Sequence, residues 1–165
     1  MRFLAVLPLL ASMCTPVAQP FQMSPGAGAR TELVEALAVL HAWDARRARA
    51  WAESDPNALR TLYVQGSAAG RSDVRLLRAY RARRLVVRRL VTQVFAVRVL
   101  RSDGSSLRLR VFDRVAGGEV LEHGEVVPLR SSRPVTRTIS FRRDTGTWRV
   151  AEVSDSGRAP RAARP

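Results

Sequence analysis

The sequence predicts an α+β domain, with three amino-terminal helices packed on one face of a curved antiparallel sheet of about four strands. Two observations carry this. Up to about residue 84, apolar residues recur at helical spacing behind capping residues; from Leu85 to Val153 they alternate with polar residues between turn signals. Helices first and a strand meander afterwards is the order of an α+β domain, not of a parallel sheet built from strand–helix–strand units.

Thr31 is the expected cap of the first helix, with Glu32 and Glu35 near the positive end of its dipole. Leu33, Leu37, Leu40 and Trp51 fall on one stripe and carry the helix to about Glu53, with Trp43 pointing away from that stripe. Asp55-Pro56 supplies a cap followed by proline at the first helical position, and Leu59, Leu62 and Tyr63 form the buried side of this short helix. After a loop from Gly66 to Gly70, Ser72 or Asp73 opens a third helix with Leu76, Leu77 and Tyr80 as its apolar face. In the first strand Val94, Ala96, Arg98 and Leu100 alternate with Phe95, Val97 and Val99 as far as an Asp103-Gly104 hairpin turn. Leu107, Leu109 and Val111 alternate with Arg108 and Arg110, so the return strand has one apolar face and one solvated face. The polar stretch Gly117–Arg133 holds a minor hairpin about His123-Gly124, and strands Val135–Arg142 and Trp148–Val153 flank the turn Asp144-Thr145-Gly146.

A chain of 165 residues, 46% hydrophobic, fits one folded domain and excludes a wholly disordered protein. One cysteine excludes an intramolecular disulfide framework and a cysteine-rich metal site. His41 and His123 have no second ligand at metal spacing, so no metal or other cofactor is expected. Ser67, Ser72 and Ser140 lack a nucleophile-elbow context, and the glycines at 66 and 70 follow a helix instead of a strand, which excludes hydrolase and phosphate-loop readings. All 28 basic residues are arginine and Ile139 is the single isoleucine, a skew that GC-rich coding produces, so part of the +14 net charge reflects composition.

Arg2 followed by the apolar run Phe3–Ala11, broken by Pro8, has the layout of a secretory signal and is too short to span a bilayer, which needs about 20 apolar residues. Leu10-Ala11-Ser12-Met13-Cys14 resembles a bacterial lipoprotein signal, with Cys14 as the lipid-bearing residue; cleavage near Ala18 or Ala29, or a start at Met23, are the alternatives. The expected segments are a signal over 1–18, a proline- and glycine-rich spacer over 19–30, the domain over 31–153 and a disordered basic tail over 154–165. The expected location is extracytoplasmic, secreted or membrane-anchored.

The long first helix, the Asp-Pro-opened second helix in Ala52-Glu53-Ser54-Asp55-Pro56-Asn57-Ala58-Leu59, the long strand after the third helix and the closing Thr147-Trp148-Arg149-Val150 resemble a nuclear transport factor 2-like domain. This is the cone-shaped α+β fold shared with ketosteroid isomerases and polyketide cyclases. The resemblance covers about residues 31–153. With Ala48-Arg49-Ala50-Trp51-Ala52 and Leu76-Leu77-Arg78-Ala79-Tyr80, the chain is also similar to uncharacterised secreted or membrane-anchored actinobacterial proteins. These motifs describe packing, and one fold hosts many chemistries.

The resemblance implies a pocket on the concave side of the sheet, in which a carboxylate removes a proton next to a carbonyl. The pocket expected here is Asp44, Tyr63, Tyr80, Asp113, Arg137 and Trp148; Asp44 and Asp113 are the catalytic candidates, with Tyr63, Tyr80 or His41 as oxyanion donor. Asp44 lies near the apolar stripe and is expected to pair with Arg47, and Asp113 with Arg137, because an unpaired buried charge is costly. A second candidate surface is the run Arg71, Arg75, Arg78, Arg81, Arg83, Arg84, Arg88 and Arg89, opposed only by Asp73, with Arg71, Arg75, Arg78, Arg81 and Arg84 as its anion-binding face. Nucleic acid is disfavoured, because the chain is expected outside the cytoplasm and no aromatic platform interleaves with these arginines. Glu119, Glu122 and Glu125 form an acidic loop without nearby bases, a contact for another copy or a partner. The leading expectation is a non-catalytic exported binding or assembly module of the cell envelope, its partner an envelope protein or an anionic surface, with membrane contact only through a lipid anchor. The alternatives are a small-molecule isomerase- or cyclase-type enzyme or carrier using the cone, and docking to an anionic surface through the basic face.

Overall fold

Residues 26–155 are described by a computed structural model, and the expected signal, Cys14 and most of the expected tail lie outside them. Three helices come first, α1 (Ala27–Ala52), α2 (Pro56–Thr61) and α3 (Ala68–Ala82). Strands β1 (Val86–Asp103), β2 (Ser106–Glu122), β3 (Glu125–Pro128), β4 (Val135–Asp144) and β5 (Thr147–Asp155) follow. The sheet is antiparallel in the order β1-β2-β4-β5. β2 pairs with β1 along its length and gives its other edge first to β4, at Ser106–Asp113, and then to β3, at Glu119–Glu122. The expected α+β architecture is present, and the expected minor hairpin about His123-Gly124 supplies the short strand β3.

Several local expectations are corrected. Thr31 does not cap α1: the helix begins at Ala27, and the Thr31 hydroxyl donates back to the Ala27 carbonyl (3.1 Å), which satisfies it inside a helix. Residues 27–30 are therefore helix, not spacer. The buried seam of α1 is Ala36, Leu40, Trp43, Ala50 and Trp51, while Leu33 and Leu37 are only half-buried. Trp43 thus points inward, its ring meeting Tyr63 and Phe141 edge-on at 6.0 and 6.1 Å. Asp55 caps α2 as expected, accepting from the Asn57 and Ala58 amides (2.8 and 3.1 Å) ahead of Pro56. α3 starts at Ala68, five residues before Asp73, because the Ser67 hydroxyl accepts from the Gly70 amide. Its inward face is Gly70, Asp73, Val74 and Leu77, one helical stripe, and Leu76 is 49% exposed.

Strand β1 does not alternate evenly. A register slip between Val94 and Ala96 lets Val94, Val97 and Val99 face the helices while Phe95 and Ala96 both lie on the other side, the two-against-one geometry of a β-bulge. β2 continues through the polar stretch after Gly117 and turns at His123-Gly124, where the minor hairpin was expected and both residues have positive φ (51° and 91°), as a tight two-residue hairpin requires. Thr145-Gly146 (46° and 79°) repeats this between β4 and β5. β5 extends through Ser154 and Asp155, two residues into the expected tail. Glu119 is not isolated from bases, since Arg89 reaches it at 2.7 Å.

The core lies between helices and sheet: Leu59, Leu77, Leu109, Val111, Phe141 and Val150 are almost wholly buried. The segment after α2 is tied to β5 by the Val64 amide to the Val150 carbonyl and the Val150 amide to the Leu62 carbonyl, both 2.9 Å. That tie fixes Tyr63 between α3 and the sheet. Gly70 is required beneath it, because a Cβ there would sit 2.7 Å from the Tyr63 side chain.

Candidate functional site

Where α1 and α3 diverge over the inner face of the sheet, a cavity of about 330 Å³ opens. Its walls mix apolar side chains (Leu40, Trp43, Val94, Val115, Ile139) with ionisable ones (Asp44, Arg47, Tyr63, Asp73, Asp113, Arg137). A roomier groove of about 610 Å³ lies on the surface between the turn at Glu53–Asn57 and Arg78 and Arg81 of α3, but no buried ionisable group converges there.

The cavity wall is built on two ion-pair clusters. Asp73, on the inward stripe of α3, accepts from Arg47 Nε and Nη2 (2.7 Å each) and from the Tyr63 hydroxyl (2.7 Å). Asp73 is almost fully buried and Arg47 about one-fifth exposed. Burial opposes the charge on Arg47, but the hydrogen bonds and charge of Asp73 outweigh it and raise the guanidinium pKa. Burial, reinforced by the Asp73 charge, raises the Tyr63 phenol. This trio is held as a charged pair with a neutral phenol.

On the sheet, Asp113, in the middle of β2 and not at the strand end the sequence suggested, and Arg137 opposite Val111 on β4 make the second cluster. Arg137 Nε and Nη2 both bond Asp113 Oδ1 (2.9 and 2.6 Å), and no hydrogen bond among the described residues reaches Oδ2. Burial raises the Asp113 pKa; Arg137 opposes the rise and the nearby Asp44 charge adds to it. Asp44 does not pair with Arg47 as the sequence suggested. About 80° from Ala36 on the α1 wheel, it lies on the flank of the seam, where Oδ1 accepts from the Thr92 hydroxyl (3.1 Å). Arg47 lies at the seam and turns to α3. Of the three carboxylates that border the cavity, Asp73 is fully engaged, while Asp44 and Asp113 each keep an oxygen that no described group engages; of these two, Asp113 alone has a cationic partner among the described residues.

Of the expected pocket, Asp44, Tyr63, Asp113 and Arg137 come together, and His41 lies at the exposed rim. Tyr80 does not: its ring stacks edge-on against Trp51 at 5.5 Å, in the core behind α3. Trp148 is also elsewhere, under Arg143 at the other end of the sheet. Sequence reasoning missed Asp73 and Thr92. Asp73 was legible in principle, since it shares the 3–4 spacing of Gly70, Val74 and Leu77; Thr92 precedes the bulge and carried no signal.

Arg71, Arg75, Arg78, Arg81 and Arg84, the expected anion-binding face, are all exposed. Arg71 donates to the Gly66 carbonyl and Arg75 to the Ser72 hydroxyl, Arg78 and Arg81 border a groove shared with Glu53 and Asp55, and Arg84 follows the helix end with positive φ.

No protein-family model matches the sequence, and no curated protein matches it. Solved structures do match in fold. Aln2 from a Streptomyces species superposes with a TM-score of 0.50 at 14% identity, covering 73% of this chain and 89% of its own. A protein of unknown function from Mycobacterium tuberculosis gives 0.51 at 12%, covering 81% and 76%. The intermembrane space region of the chloroplast protein ARC6 gives 0.50 at 13%, covering 79% and 98%. Three helices closing a curved antiparallel sheet into a cone, with these neighbours, give the chain a nuclear transport factor 2-like fold.

Proposed function

We propose that this chain is an exported, non-catalytic binding module whose site is the cone cavity, and that its ligand is a small organic molecule bearing an ammonium group. The observation that carries the reading is the cavity of about 330 Å³ bordered by Asp44 and Asp113, each with an oxygen free to accept. That volume is at the small end of ligand sites, which run from about 300 to 1,000 Å³. Three carboxylates and two guanidiniums line it, so the cavity carries one uncompensated negative charge inside a chain of net +14. Charge complementarity favours a cationic guest, and Trp43 and Leu40 supply apolar contact for its body.

Binding is favoured over catalysis because proton abstraction by Asp113 needs a donor to stabilise the developing oxyanion. The Tyr63 hydroxyl and the Arg47 fork are already given to Asp73, and Tyr80 faces Trp51. The raised Asp113 supports the second reading, an isomerase- or cyclase-type enzyme. In that case Asp113→Asn abolishes turnover of a carbonyl substrate and leaves its binding intact.

The test is calorimetry of the purified protein with benzylamine and with benzoate, which share a shape and differ in charge. Benzylamine is expected to bind, and Asp44→Asn to weaken it about tenfold or more. Preference for benzoate, or affinity unchanged in Asp44→Asn, defeats the reading. Export is tested by the intact mass of the native protein: retention of residues 1–18 contradicts it.

A further inference from the structure

The outer face of the sheet, away from the helices, holds a feature unconnected with the cone. Phe95, in the bulge of β1, and Phe112 on β2 are 46% and 40% exposed, and their rings pack together at 5.3 Å with a tilt of 39°. Arg114 reaches over Phe95, its guanidinium carbon 5.6 Å from the ring centre. Beside this apolar centre Arg98 stands directly opposite Arg110, and beyond it Arg101 opposite Arg108. Like charges directly opposed across two strands destabilise a sheet. Arg98, Arg108 and Arg110 are exposed and make no hydrogen bond or ion pair among the described residues.

We propose that this face docks on the surface of a bilayer containing anionic phospholipid, with the phenylalanine pair entering the headgroup boundary and the arginines contacting the phosphates. An apolar centre with a cationic rim is the arrangement by which a surface lies in the membrane interface. The face is accessible to a surface, because the helices pack on the opposite side of the sheet and Phe95, Ala96, Arg98, Arg110 and Phe112 are exposed. A second copy fits less well, because it would bring like charges together across the seam; a stable dimer in analytical ultracentrifugation that Phe95→Ala with Phe112→Ala dissociates would overturn the proposal. Single-stranded nucleic acid fits less well, because bases stack on free ring faces and those of Phe95 are engaged by Phe112 and Arg114.

The experiment is cosedimentation of the full chain, carrying Cys14→Ser so that no acyl chain contributes, with vesicles of phosphatidylcholine alone or with about one-third phosphatidylglycerol. Binding is expected only to the anionic vesicles and falls with added salt. Replacing Arg98 and Arg110 by glutamine is expected to lower it about 30-fold, at about fivefold for each arginine near an anionic surface. Phe95→Ala with Phe112→Ala also weakens it, and the α3 variant Arg75→Gln, Arg78→Gln, Arg81→Gln leaves it unchanged. Circular dichroism melts of each variant separate loss of docking from loss of fold. Salt-insensitive binding, binding lost only in the α3 variant, tighter binding to a single-stranded oligonucleotide, or no vesicle binding overturns the proposal.

Discussion

Replacing Asp73 by alanine removes the acceptor for three donors at once. Arg47 Nε and Nη2 and the Tyr63 hydroxyl, each 2.7 Å away, lose their partner in a site where the Asp73 side chain is 8% and that of Arg47 21% exposed. Deleting one member of a buried ion pair costs about 3 to 5 kcal/mol because the other charge is left without compensation. Water reaches Arg47 in part, which sets its share near the lower figure, and the stranded phenol adds about 1 kcal/mol. The expected loss is therefore about 4 kcal/mol, or a fall in Tm of about 15 °C for a domain of this size. Thermal and urea unfolding followed by tryptophan fluorescence measure it. Arg47→Met combined with Asp73→Leu should cost less than Asp73→Ala alone, because the double change leaves no buried charge unpaired. A fall of less than about 4 °C in Asp73→Ala, or additivity of the two single changes, refutes the claim that these groups form one buried network.

Further outcomes are expected. In a carboxyl carbon NMR titration Asp113 titrates above the ordinary aspartate value of about 3.9; Arg137→Gln moves it further up and Asp44→Asn brings it down. Because this pKa is raised on folding, its stabilising contribution is complete below the ordinary value and is lost as pH rises through the raised one. The Tyr63 phenol, also raised, ionises only above the ordinary value of about 10, and ultraviolet titration of Tyr63→Phe identifies its share; its contribution is present below that value and disappears at higher pH. Gly70→Ala places a methyl group 2.7 Å from the Tyr63 side chain and should cost about 1 to 3 kcal/mol in urea unfolding, whereas Gly104→Ala, with open space around it, should cost less than about 1 kcal/mol by the same measurement. Phe141→Ala, at a wholly buried position, should cost about 3 to 5 kcal/mol.

Much of the architecture was legible because local chemistry and global fold agree. Asp55-Pro56 caps α2, the alternation of Leu107 to Val111 with arginine orients β2, and the turns at His123-Gly124 and Thr145-Gly146 close hairpins in register. The buried seam of α1 was read wrongly because Leu33 and Leu37 lie in its first turns, so anchoring the stripe on them rotated Asp44 into the core and Trp43 out of it. The bulge at Phe95 was illegible for a related reason: seven apolar or alternating residues permit either register, and pairing with β2 decides between them. At the site, the Asp113–Arg137 pair could be read because both lie on apolar sides of their strands. Arg47 with Asp73 could not, since α1 and α3 meet only in the tertiary structure, 26 residues apart in sequence.

The claim that the cone binds a small ammonium compound is tested most directly by the indole N–H signals of the protein during titration with benzylamine. Trp43 lines the cavity and its indole N–H has no hydrogen-bond partner among the described residues, while Trp148 lies at the other end of the sheet. Saturable movement of the Trp43 signal, reduced in Asp44→Asn and absent from Trp148, is the expected result. A Trp43 signal that stays in place while benzylamine binds, or equal movement of both indoles, would contradict a site in the cone.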